Sequence, residues 1–154
     1  MMQMPTPLIL GWQEWIALPD LRLPALKAKI DTGARTSALH TLSVEPYGTS
    51  KRPMVRFRVR PSPQRASLEI EASAAVIDQR EVRSSNGERE LRYVIATRLR
   101  LGGREWPIEV TLTNRERMTY RMLLGRQAIQ PDMLVDPGAT FQQPRLSYAL
   151  YRSS

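Results

Sequence analysis

At 154 residues the chain is long enough to fold as one domain, 1–154, around its own core. With no cysteine and one histidine it excludes disulfides, thiol nucleophiles, Cys-based zinc sites and a His-rich metal centre within one chain. The net charge is +8, and of the 23 basic residues only Lys27, Lys29 and Lys51 are lysine, so an arginine-rich surface is suited to acidic partners such as RNA, acidic peptides or lipid headgroups.

Leu8 to Trp12 reads as a short opening strand, and Trp12 and Trp15 as core or interface anchors, because an indole buries a large area. Pro19 and Pro24 bracket a loop. Ala25 to Ile30 then runs as a strand into Asp31-Thr32-Gly33-Ala34. A carboxylate, a hydroxyl and a glycine at the end of an apolar strand can activate a water, fix a turn and admit close backbone approach. The same three residue types also make ordinary turns. Thr36 to His40 continues as a strand, in which His40 reads as a hydrogen-bonded structural residue.

Glu45 to Pro53 carries turn formers and reads as a turn. Val55 to Arg60 alternates apolar and basic residues, the pattern of a half-exposed strand. It holds one aromatic and no stacking series, which argues against a nucleic-acid face. After the loop at Pro61–Gln64, Leu68 to Ile77 is a further strand. Gln79 to Ile95 predicts a hairpin turning at Asn86-Gly87, the preferred pair for a two-residue turn. Its arms are polar, so it projects from the body. A second hairpin turns at Gly102-Gly103. Met122 to Gly125 is an apolar strand, Arg126 to Ile129 the start of a short helix ended by Pro131, and Met133 to Val135 a last strand. The tail beyond Gly138 is weakly patterned. Turn signals at this spacing predict an all-β domain.

Two motifs stand in a fixed order: Lys29-Ile30-Asp31-Thr32-Gly33-Ala34, and later Met122-Leu123-Leu124-Gly125-Arg126. Together with the two hairpins between them they resemble the retropepsin-like aspartic proteases. The match is similar in more detail to a bacterial family related to RimB, over the block Ala28 to His40 and at Gly11, Trp12, Glu14, Arg80, Ser85, Gly87, Glu90, Arg92, Thr111 to Arg115, Met118 and Leu134 to Asp136. Members of that family are often labelled ATP-dependent zinc proteases. This chain has no Gly-x-x-x-x-Gly-Lys-Ser/Thr loop and no His-Glu-x-x-His, so its residues fit neither ATP nor zinc, and no metal or cofactor is expected.

The resemblance implies a closed all-β barrel and a homodimer. An aspartic protease needs two carboxylates sharing one water, and this chain has a single Asp-Thr-Gly; Asp136-Pro137-Gly138 replaces the hydroxyl residue with proline. The catalytic residues are then Asp31, Thr32 and Gly33, with Asp31 supplied once by each chain and Thr32 bracing the two turns across the twofold axis. Ala34, Arg35, Ser84, Ser85, Asn86 and Gly87 would contact substrate, residues 82–92 forming a flap. Gly125 and Arg126 would support the turn from behind. Where retroviral members carry an acidic residue after Asp-Thr-Gly-Ala, this chain has Arg35. With the positive charge, and with the family's association with enzymes that add glutamates to proteins, this implies an acidic or glutamate-rich peptide substrate. The alternative is a non-catalytic module of the same fold that binds acidic protein tails or RNA. The N-terminal fifteen residues lack the marks of a signal peptide and no apolar run is of membrane-spanning length, so a cytoplasmic protein without membrane contact is expected.

Overall fold

A computed structural model describes residues 6–83, 87–114 and 120–151. Among them the chain forms eleven strands and three single turns of 3₁₀ helix. In order the strands are β1 (Leu8–Leu10), β2 (Gln13–Leu18), β3 (Leu23–Asp31), β4 (Ser37–His40), β5 (Ser43–Gly48), β6 (Pro53–Val59), β7 (Ile70–Arg83), β8 (Arg89–Leu101), β9 (Arg104–Thr113), β10 (Met122–Gly125) and β11 (Met133–Val135).

Six of these close a barrel in the order β2-β3-β10-β4-β9-β8, sealed by the pairing of Ala17 in β2 with Arg100 in β8. The expected all-β barrel is thus observed. Closure removes the β2 edge of the sheet. Inside it pack Ile16, Leu18, Leu26, Leu39, Ile95, Leu99, Met122 and Leu124, each fully buried. Burial of each such side chain contributes roughly 1.5–3 kcal/mol. Beyond β8 the sheet continues outward through β7, β6 and β5, and β1 pairs in parallel with β11.

The alternation of β6 is realised: Val55, Phe57 and Val59 are fully buried while Arg56 and Arg58 face water. β7 and β8 form the first predicted hairpin, paired from Val76↔Ile95 to Arg83↔Arg89. β9 accompanies β8 only from Val94 to Leu101, so the arms 79–83 and 89–93 extend past the barrel. The second hairpin turns at Gly102 and Gly103, whose φ values of 62° and 78° lie in the left-handed region that glycine alone enters freely.

Three expectations need correction. Glu45 to Gly48 is strand rather than turn, because β5 lies at the sheet edge, where Pro46 costs no inner-ladder hydrogen bond. The expected helix after Gly125 is one 3₁₀ turn, Arg126–Ala128. The tail is pinned in place: the Glu14 carboxylate, fully buried, accepts the N–H groups of Gly11 (2.7 Å), Gln142 (2.8 Å) and Gln143 (3.0 Å). Farther on, the Tyr151 hydroxyl donates to the Ala25 carbonyl at 2.6 Å, and burial pushes that phenol well above its ordinary pKa.

Candidate active site

β3 alternates buried Ala28 and Ile30 with outward Lys27, Lys29 and Asp31. At its end the chain turns back at once. The Asp31 Oδ1 accepts the Gly33 N–H at 3.0 Å, and the Asp31 carbonyl accepts the Ala34 N–H at 3.2 Å. No hydrogen bond among the described residues reaches Oδ2. Gly33 has no left-handed φ; what it provides is closeness, since a Cβ there would lie 3.2 Å from Asp31 Oδ1. Thr32 and Gly33 are exposed and Asp31 and Ala34 half-buried. The Thr32 hydroxyl makes no hydrogen bond among the described residues, so within one chain the turn is fixed by its backbone and by Asp31, contrary to the expectation that the hydroxyl fixes it.

β10 runs parallel beside β3 and sets Gly125 opposite Asp31. A Cβ on Gly125 would stand 2.5 Å from the Thr36 carbonyl oxygen, well inside contact distance. The Gly125 N–H donates to Ser37 Oγ at 3.1 Å, the Arg126 N–H to the Ala34 carbonyl at 2.8 Å and the Gln127 N–H to the Arg35 carbonyl at 3.2 Å. The turn after Asp31 is therefore held from behind by three backbone N–H groups of one short segment. The Arg126 guanidinium reaches the Gly33 carbonyl at 3.5 Å, the outer limit of a hydrogen bond.

Of the sequence-derived site residues, Asp31, Thr32, Gly33, Ala34, Arg35, Gly125 and Arg126 are gathered at this one turn. Ser84, Ser85 and Asn86 lie outside the described residues. Gly87, with φ 86°, is at the exposed end of the hairpin. Its root is braced by Glu90, which accepts from Arg92 Nε at 2.9 Å, from the Thr113 hydroxyl at 3.2 Å and from the Asn114 N–H at 3.3 Å. Burial works to raise the Glu90 pKa, but these donors together hold it below the ordinary value. Ser37 and Glu90 escaped sequence reasoning as hydrogen-bonding partners of the site and its hairpin, since neither sits in a periodic position that marks such a role.

Charge is distributed unevenly. Away from the turn several arginines pair with carboxylates: Arg56 with Glu71, Arg58 and Arg60 with Glu69, Arg80 with Asp78 and Glu109, Arg98 with Asp20. Around the turn, Lys29, Arg35 and Arg126 have no carboxylate partner among the described residues. The surplus positive charge thus includes a patch at Asp31. Among the described residues no group of three His, Cys, Asp or Glu side chains could hold a metal ion, and no helix is long and apolar enough to cross a membrane.

His40 is buried at the end of β4, its N–H donating to the Arg121 carbonyl at 2.8 Å. Its ring Nδ1 has no partner among the described residues, so the expected ring hydrogen bond is absent at that atom. Burial, and then the Arg121 charge, hold its pKa below the ordinary value.

Residues 9–146 match the family described as RimB-like, retropepsin-like aspartic endopeptidase RimB. A protein of Shewanella pealeana named probable alpha-L-glutamate ligase is 46% identical over 86% of this chain, and one of Parasynechococcus marenigrum with the same name is 46% identical over 88%. The match spans 29% of the length of each of these relatives. The crystal structure of Lpg0085 of Legionella pneumophila, a protein of unknown function, superimposes with a TM-score of 0.72 at 32% identity, over 88% of this chain and 97% of that one.

Proposed function

The chain belongs to the RimB-like family of retropepsin-like aspartic endopeptidases, and on that premise we propose that it is an aspartic peptidase whose site is completed by two copies of Asp31. The observation that carries this reading is the half-built site: one outward carboxylate on a turn locked from behind by Gly125 and Arg126, with Thr32 and Gly33 exposed beside it. A second copy across a twofold axis would set carboxylate against carboxylate. Two such groups sharing a water cannot both ionise; one holds a proton and acts as acid while the other draws a proton from the water. The water oxygen then attacks the peptide carbonyl, and the leaving nitrogen takes up a proton as the C–N bond breaks. Thr32 of each chain would brace the pair, and the hairpin 82–92 would close over the peptide.

The substrate we propose is an acidic or glutamate-rich peptide. Lys29, Arg35 and Arg126 surround the turn without carboxylate partners among the described residues, a field that favours an anionic chain. The longer relatives are named probable alpha-L-glutamate ligase, which fits glutamate as the residue this site would handle. The ligase name belongs to proteins of which this chain matches under a third. The test is incubation of glutamate-rich peptides with wild-type protein and with Asp31→Asn, read by mass spectrometry. Cleavage by the wild type alone is expected; cleavage by both removes Asp31 from the chemistry.

A further inference from the structure

A small pocket lies beside the Asp31 strand and has no part in the chemistry above. Its volume is about 160 Å³, and Gln13, Lys27, Gln64, Tyr120, Arg121 and Tyr148 line it. Lys27 is on the same outward face of β3 as Lys29 and Asp31. At ~3.3 Å per residue it stands about 13 Å down the strand from Asp31. Arg121 immediately precedes β10, whose first residue, Met122, sits beside Ala28, so both cations meet at one point of the barrel wall.

The lining is held in place. The Lys27 ammonium lies 5.3 Å from the Trp15 ring centroid and 5.9 Å from that of Phe141. Arg121 donates its Nε to the Arg60 carbonyl at 2.8 Å, and the Tyr120 hydroxyl donates to Gln13 Oε1 at 2.8 Å. The Lys27 ammonium, the Tyr148 phenol and the amides of Gln13 and Gln64 converge there, and no described lining residue is a carboxylate. Such a set of fixed donors suits a carboxylate.

We propose that this pocket is a substrate subsite that takes a carboxylate about four residues from the scissile bond, the distance an extended peptide covers at ~3.3 Å per residue. It rests on the reading of Asp31 as the peptidase site, and adds a fixed point of specificity to it. The carboxylate comes either from an acidic side chain or from the end of the substrate chain.

The test is calorimetric titration of Asp31→Asn protein with two probes: penta-L-glutamate amidated at its C-terminus, and penta-L-glutamine with a free C-terminus. Lys27→Gln is expected to weaken one of them roughly tenfold, the loss of one charge-assisted contact. Lys27→Arg should largely restore binding. Lys51→Gln, which removes the same charge in the β5–β6 turn, should leave it nearly unchanged. Dependence on Lys27 for the amidated peptide assigns a side-chain carboxylate; dependence for the free-ended peptide assigns the terminus. Equal affinities in Lys27→Gln and Lys51→Gln, or no binding of either probe, overturn the subsite. Wild-type protein incubated with the same peptides separates this from the peptidase reading. Lys27-dependent binding without cleavage overturns only the peptidase, and cleavage with Lys27-independent binding overturns only the subsite.

Discussion

Gly125 lies directly opposite Asp31 in the parallel β3–β10 ladder, and its missing side chain is what lets the Thr36 carbonyl pass behind the turn. A methyl group there would stand 2.5 Å from that oxygen and 2.6 Å from its carbon, both backbone atoms that cannot swing aside. Gly125→Ala should therefore push apart the two segments that hold Asp31. The expected cost is at least 1–3 kcal/mol, the usual penalty of overpacking. It would appear as a fall in Tm of several degrees, with loss of peptidase activity at temperatures where the variant is still folded. An unchanged Tm would mean that the Thr36 segment is free to move.

Stability should respond to pH through His40. Its folded pKa lies below the ordinary 6.5 because burial and Arg121 disfavour the imidazolium. Above that value both states are neutral and the contribution is complete. As pH falls below it, the unfolded chain takes up a proton that the folded chain refuses, so stability is lost towards the lowered folded value. Lowered carboxylates such as Asp20 and Asp78, held down by Arg98 and Arg80, act only further into acid, as pH falls below their ordinary value of 3.8. Thermal melts of wild type and His40→Gln between pH 7 and 5 should show a decline in the wild type that the variant lacks. Parallel curves would remove His40 as the cause.

Much of the site could be read in the sequence because it is local. Asp31, Thr32 and Gly33 are adjacent, and Gly125 with Arg126 recurs at a recognisable strand end. What could not be read is held by contacts between distant segments. Barrel closure depends on Ala17 meeting Arg100, which no periodicity encodes. The tail looked unpatterned because it is fixed by the carboxylate of Glu14 rather than by a strand ladder, and side chain–backbone bonds leave no repeat. The helix after Gly125 stops after one turn because the backbone is already extended at Ile129 (φ −83°, ψ 127°), two residues before Pro131, which can neither donate to a helical carbonyl nor follow a helical residue comfortably. The N–H groups of its first residues, Arg126 and Gln127, have no acceptor inside the turn and instead hold the carbonyls of Ala34 and Arg35.

Arg35 is exposed, next to the turn, and without a carboxylate partner among the described residues. If it meets the substrate, Arg35→Glu should lower kcat/KM for glutamate-rich peptides by roughly tenfold or more, since attraction becomes like-charge repulsion. Neutral peptides should be affected much less. An equal fall for both classes would assign Arg35 to the integrity of the turn instead.

Light scattering across a dilution series should give a mass near twice 17.6 kDa where the peptidase is active. A mass of one chain at every concentration, with full activity, would require a second carboxylate from within the same chain.

The central claim is that each site uses Asp31 from two chains, and subunit mixing tests it most directly. Wild-type and Asp31→Asn chains are unfolded together, refolded in varied ratios and assayed on a glutamate-rich peptide. Only dimers with both carboxylates should cleave it, so activity should follow the square of the wild-type fraction, about a quarter at equal mixture. A linear fall, leaving about half, would show that one Asp31 suffices and would contradict the shared site.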